Sequence, residues 1–188
     1  MAIATILWKR LDTEGHDACR LLRRDDGWQV RGEAIFLHEG KPCSVSYDVR
    51  CDTAWWTRLA TVTGWIGVRE LKLEIARSED AKWFLNAVEQ PQASGCVDVD
   101  LGFTPATNLL ALRRFNLGIG EETPASAAYL SFPELRLELL KQTYRRTSET
   151  KYAYRAPVFG YAEVLEVSEI GFITSYPGLW EGQLFLGR

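Results

Sequence analysis

Apolar and polar side chains alternate with a period of two along most of this chain, the spacing at which successive residues of an extended strand face opposite sides of a sheet. From Ser44 to Asp52, Val45, Tyr47, Val49 and Cys51 fall on one face, and Ser44, Ser46, Asp48, Arg50 and Asp52 fall on the other. Leu71, Leu73 and Ile75 alternate with Glu70, Lys72, Glu74 and Ala76 in the same way, and Glu134 to Leu139 reads ELRLEL. Each run predicts a strand with one buried and one solvated face. The opening Ala2-Ile3-Ala4-Thr5-Ile6-Leu7 reads as a further strand. A longer run, Trp28 to His38, sets Trp28, Val30, Ala34 and Phe36 against Gln29, Arg31 and Glu33, and Gly32 inside it predicts a bend or bulge.

Turn-forming residues separate these runs at Asp25-Asp26-Gly27, Glu39-Gly40-Lys41-Pro42, Ser78-Glu79-Asp80 and Pro177-Gly178, and in segments 90–95 and 147–151. They recur roughly every ten residues, the rhythm of antiparallel sheets. Helical signals are few: short helical pieces are expected at Asp52-Thr53-Ala54-Trp55-Trp56 and at Thr104-Pro105. Beyond the latter, Leu109, Leu112 and Phe115 fit a helix while Leu110, Leu112 and Arg114 fit a strand, and periodicity does not separate the two. The predicted fold class is all-β with minor short helices, a single domain spanning residues 1–188. So many strands must hide their edges in a closed barrel, a sandwich or a rolled sheet, and a many-stranded antiparallel β-roll or open barrel is expected.

A roll wider than its own side chains can fill becomes a ligand cavity, and seven tryptophans, seven tyrosines and eight phenylalanines would give it apolar walls with polar tips. At 188 residues, 46% hydrophobic and 25% charged, the chain has the balance of a folded domain rather than of a disordered one. A net charge of −3 offers no basic surface for phosphates, which sets nucleic acid aside. Cys19, Cys43, Cys51 and Cys96 form no CxxC pair and only His16 and His38 stand beside them, so no metal or other cofactor is expected. The N-terminal residues lack a basic leader, and no run approaches the ~18 apolar residues that cross a bilayer, so a cytoplasmic protein with reduced thiols is expected.

The segment Gly95-Cys96-Val97-Asp98-Val99-Asp100-Leu101-Gly102-Phe103-Thr104-Pro105-Ala106-Thr107-Asn108, followed by Arg113-Arg114, resembles the bacterial putative glycolipid-binding family, formerly a domain of unknown function. The same family's order is seen in Tyr47 to Asp52 with Trp55 and Arg58, in Gln142-Thr143-Tyr144, in Tyr152-Ala153-Tyr154, and from Gly171 through Tyr176-Pro177-Gly178-Leu179-Trp180. The resemblance implies a β-roll similar to the open barrels of carriers that move bacterial lipoproteins, and it implies an amphiphilic ligand. Ala111 stands where the family pattern has proline before the paired arginines. That pattern implies a turn followed by an extended strand through Leu109 to Phe115 rather than a long helix.

Several residues are candidates for binding. Asp98 and Asp100, two apart on a strand, project from one face, where they suit a cation, acid/base work on a sugar, or ion pairs with Arg113 and Arg114. Same-face neighbours do not straddle a glycosidic bond, which disfavours glycoside hydrolysis. Thr104, Thr107 and Asn108 suit turn capping or sugar hydroxyls. Trp55 with Arg58 suits a sugar ring or an anionic headgroup at a cavity mouth, and equally core packing beside a surface charge. Gln142 with Tyr144, and Tyr154 with Tyr152, give polar faces natural to a cavity that hydrogen-bonds a ligand or to an exposed sheet.

Neither a nucleophile elbow nor a phosphate-cradling loop nor a dinucleotide fingerprint occurs. The expectation is a non-catalytic carrier or binder of a glycolipid or lipid inside a rolled sheet. An enzyme acting through Asp98 and Asp100 and a protein-interaction module are the alternatives.

Overall fold

A computed structural model describes residues 2–187. The first half of the chain is a run of hairpins: β1 (Ala2–Arg10), β2 (Gly15–Arg24), β3 (Gly27–His38), β4 (Lys41–Cys51), β5 (Thr57–Ile66), β6 (Arg69–Arg77), β7 (Trp83–Leu85) and β8 (Val88–Glu89). After a 3₁₀ turn at Pro91–Ala93 come β9 (Asp98–Leu101), helix α1 (Asn108–Phe115), β10 (Glu122–Pro124), β11 (Ala127–Leu130) and β12 (Leu137–Leu140). The C-terminal part comprises β13 (Thr143–Arg146), β14 (Lys151–Ala156), a 3₁₀ turn at Pro157–Phe159, β15 (Tyr161–Val167), β16 (Ile173–Tyr176) and β17 (Trp180–Leu186).

Fourteen strands join in one open antiparallel sheet, ordered β10-β13-β14-β15-β16-β17-β1-β2-β3-β4-β5-β6-β7-β8. The all-β reading from the alternating pattern therefore holds. Pairing of β1 with β17 stitches the two ends of the chain together at the middle of the sheet. β2 and β3 meet across the two residues Asp25-Asp26, and β3 and β4 across Glu39-Gly40; Glu39 and Gly40 both take positive φ, as a type I′ turn requires.

β9, β11 and β12 form a second, three-stranded sheet in which β9 and β11 run parallel. This small sheet and α1 pack on the buried face of the long sheet. Val99, Leu101, Phe103, Leu109, Leu130 and Leu137 share one apolar cluster with Val30, Val45, Val49, Val62 and Ile75. A second cluster, built on Tyr144, Tyr152, Tyr154, Leu165 and Val167, lies under the C-terminal strands and takes in Ala111 and Leu112. The helix is thus wedged between two cores. Backbone and side-chain bonds fix the insert: the Val99 N–H donates to Thr57 Oγ1 (3.1 Å), and Gln92 Nε2 donates to the Leu137 carbonyl (2.6 Å).

Four local expectations are corrected. Segment 108–115 is helical, not a turn and extended strand. Ala111 keeps the N–H that proline lacks and removes the ring that would strike the preceding turn. Arg113 and Arg114 occupy the last turn, where the helix dipole favours cations, and Asn116 closes it at φ 44°. Gly32 makes no bulge, since β3 pairs with β2 and β4 without a register shift there. Its missing side chain makes room, because a Cβ would stand 2.3 Å from the Tyr47 hydroxyl.

The strand expected over 134–139 starts only at Leu137, with Leu139 exposed and Leu140 buried, because Leu135 is spent in the turn that bonds Ser131 to Arg136. The helical pieces at 52–56 and 104–105 are turns. Asp52 Oδ1 accepts the Ala54 and Trp56 N–H groups at 2.9 Å each, and Thr104 Oγ1 accepts that of Ala106 at 3.0 Å.

Candidate functional site

β9 delivers Asp98 and Asp100 to one face of the small sheet, but their surroundings differ. Asp98 is gripped by Arg114 of α1, whose Nε and Nη2 reach its two carboxyl oxygens at 3.1 and 2.5 Å. This is a bidentate internal ion pair that ties the helix to the strand. Among the described residues, Asp100 pairs with no such cation. It accepts hydrogen bonds from the Gln142 side chain and from Thr107 Oγ1, and burial pushes its carboxyl up to about 6.

Asp100 lines a cleft of about 320 Å³ between the insert and the C-terminal strands. One wall carries Asp100, Thr104, Asn108 and Tyr129 from the insert. The other carries Tyr154, Phe159, Tyr161, Tyr176 and Trp180. Gly102, also on the insert side, lets Tyr129 lie across the backbone, since a Cβ there would meet the Tyr129 ring at 2.4–2.8 Å.

Behind this surface runs a chain of hydrogen bonds. The Tyr154 hydroxyl donates to Gln142 Oε1 at 2.6 Å, and the Gln142 side chain in turn bonds Asp100. Tyr176 bonds Tyr154, and Asn108 Nδ2 donates to the Tyr144 hydroxyl at 2.6 Å. Tyr161 donates to the Pro177 carbonyl at 2.8 Å. Burial raises the phenols of Tyr144, Tyr154 and Tyr176 well above the usual tyrosine range, and those of Tyr129 and Tyr161 to about 12. All are neutral donors near pH 7.

Of the residues singled out in the sequence, Asp100, Thr104, Asn108 and Tyr154 line the cleft, and Thr107, Gln142 and Tyr144 stand directly behind it. Asp98 and Arg114 are spent on each other. Trp55 is buried and stacks on Trp28, with ring centroids 4.4 Å apart, and carries the Arg113 guanidinium at 5.5 Å. Arg58 pairs with Asp52 at 2.7 Å and lines a separate groove with Arg24, Arg50 and Trp28. Trp55 and Arg58 therefore do not join Asp100.

Sequence reasoning passed over Tyr129, Tyr161 and Phe159, and above all Asp17. On β2, Asp17 takes the inward register of Cys19 and Leu21 and is fully buried. It accepts the Tyr47 hydroxyl, 3.0 Å from both oxygens, and the Thr104 hydroxyl from the cleft wall. Among the described residues it forms no ion pair, and burial pushes its carboxyl up to about 7. An acid in the apolar register of an alternating strand was the legible signal.

All four cysteines are buried and unpaired. Among the described residues, no helix is long and apolar enough to cross a membrane.

In shape, the chain is similar to the crystal structure of a DUF1089 family protein from Pseudomonas aeruginosa, with a TM-score of 0.77 and 27% identity, covering 88% of this chain and 91% of that one. No curated protein matches its sequence. Residues 5–182 match the sequence profile of the family described as "Putative glycolipid-binding", and the chain belongs to that family.

Proposed function

We propose that the protein is a non-catalytic binder that holds the polar head of an amphiphile, a glycolipid or lipid, in the cleft between the insert and β14–β16. The observation that carries this reading is the cleft's composition: an acid, an amide and several neutral phenols set among aromatic rings, the pairing of polar anchors with apolar wall that small-molecule sites use. The family's description points to the same class of ligand.

Size limits what enters. The buried face of the long sheet is largely covered by the insert, and about 320 Å³ lies at the small end of the ~300–1,000 Å³ typical of ligand pockets. A head group fits this space, and an aliphatic tail leaves past Phe159, which is exposed beside exposed Val158 at the rim. A catalytic reading through paired carboxylates loses its second member, because Asp98 is engaged by Arg114. Four unpaired thiols accord with a reducing compartment, and we place the protein in the cytoplasm.

Titration calorimetry with octyl β-glucoside, below its micellar concentration, tests the proposal. Saturable binding that Tyr161→Ala weakens and Ile35→Ser on the outer sheet face leaves unchanged is expected. Affinity that is equal in wild type and Tyr161→Ala would refute it.

A further inference from the structure

The cleft's electrostatics are one-sided. Among the described residues, Asp100 is the only charged side chain on its walls, and no lysine or arginine lines it. Aromatic rings supply much of the remaining surface. Tyr161 and Tyr176 stand 5.3 Å apart between ring centroids and Tyr129 and Phe159 5.4 Å apart.

An aromatic ring attracts a cation to its face, and the attraction grows where water is excluded. Elsewhere the chain satisfies this with its own arginines, which sit over Trp28, Phe36, Trp55, Trp56, Phe115 and Tyr152. At the cleft only Trp180 is so covered, by Arg10 at 4.9 Å. Among the described residues, Tyr129, Tyr154, Phe159, Tyr161 and Tyr176 have no such partner from the chain.

A carboxylate set among rings that hold no guanidinium of their own complements a positively charged nitrogen. It repels a phosphate or carboxylate head. Resting on the cleft being a head-group site, we infer that the head it selects carries a cationic nitrogen, an ammonium or a trimethylammonium group, with Asp100 as counter-ion and the tyrosines as its cage. Asp100 is preorganised for this. Gln142 and Thr107 hold its carboxylate from behind, so a cation meets an oriented charge rather than a mobile one.

The test compares choline with 3,3-dimethyl-1-butanol, its uncharged isostere, by calorimetry or by NMR shift of the cleft tyrosines. Octyl β-glucoside serves as an uncharged amphiphile in parallel. Choline is expected to bind wild-type protein at least about tenfold more tightly than the isostere, and Asp100→Asn is expected to narrow the difference to what the aromatic faces alone supply. The ratio on wild-type protein stands without the variant, should the variant fold poorly. Ethanolamine in place of choline separates the sources: tighter binding of either one assigns the head as primary ammonium or as trimethylammonium. Equal affinities for choline and its isostere would overturn the inference, and if octyl β-glucoside still bound in the cleft, the head-group reading would survive. Failure of every probe, octyl β-glucoside included, would overturn both.

Discussion

Two buried aspartates two positions apart on one strand illustrate how neighbours, not residue type, decide a role. Asp98 is held by Arg114 in a pair whose side chains are only 4% and 16% exposed. Removing one partner of such a pair leaves a buried charge uncompensated. Arg114→Ala is expected to lower unfolding free energy by about 3 kcal/mol in urea denaturation, and Arg114→Ala with Asp98→Asn is expected to recover much of it. A double variant no more stable than the single one would show that the charge is not the cause.

Asp17 has the opposite problem, a carboxyl buried without a cation. Its pKa stands at about 7 in the folded chain against an ordinary value near 3.8. Between these values the folded state keeps a proton that the unfolded state has released, so stability falls as pH rises from about 4 to about 7 and then levels off. The loss is on the order of 4 kcal/mol for this group alone. Asp100, raised to about 6, adds a slope of the same sign over the lower part of that window. Asp17→Asn is therefore expected to flatten, without abolishing, the pH dependence of stability between pH 4.5 and 7.5. Identical profiles for wild type and variant would contradict the assignment.

Among the elements, α1 shows where pattern reading reached its limit. Strands with one wet face announce themselves by alternation, and β2 to β6 follow it closely. Helix α1 is buried from Asn108 through Leu112, so it lacks the polar face that would have marked its period. The insert was legible only in part. Asp98, Val99, Asp100 and Leu101 of β9 alternate as a strand should, but all four are buried, and the alternation itself gives no sign that the polar face is covered as well. That the insert fills the long sheet's buried face is a long-range fact, invisible to any local window.

The cleft was half legible. Asp100, Gln142 and Tyr154 stood out as polar groups that suit a cavity or an exposed face, whereas Tyr129 meets Asp100 only through the distant β9–β11 pairing, and Tyr161, across the β14–β15 hairpin from Tyr154, carries no local mark of facing the cleft. Ala111→Pro tests the helix directly. It is expected to cost about 3 kcal/mol or more and to lower the helical circular dichroism signal. A variant as stable as wild type would argue that segment 108–115 prefers the extended form.

For the whole molecule, the sheet stays open yet presents little edge. It ends in β8, two residues long, and in β10, three residues long and closed by Pro124. Short edges and proline discourage edge-to-edge pairing, and function is assigned to the cleft. There the two cores meet, and the insert's polar residues face the tyrosines of the C-terminal strands. The central claim is that this junction is a head-group site. A crystal structure of the protein with octyl β-glucoside tests it most directly. The account predicts density for the sugar between Asp100 and Tyr161, with the alkyl chain leaving beside Phe159. A sugar resting elsewhere on the surface, with an empty cleft, would contradict it.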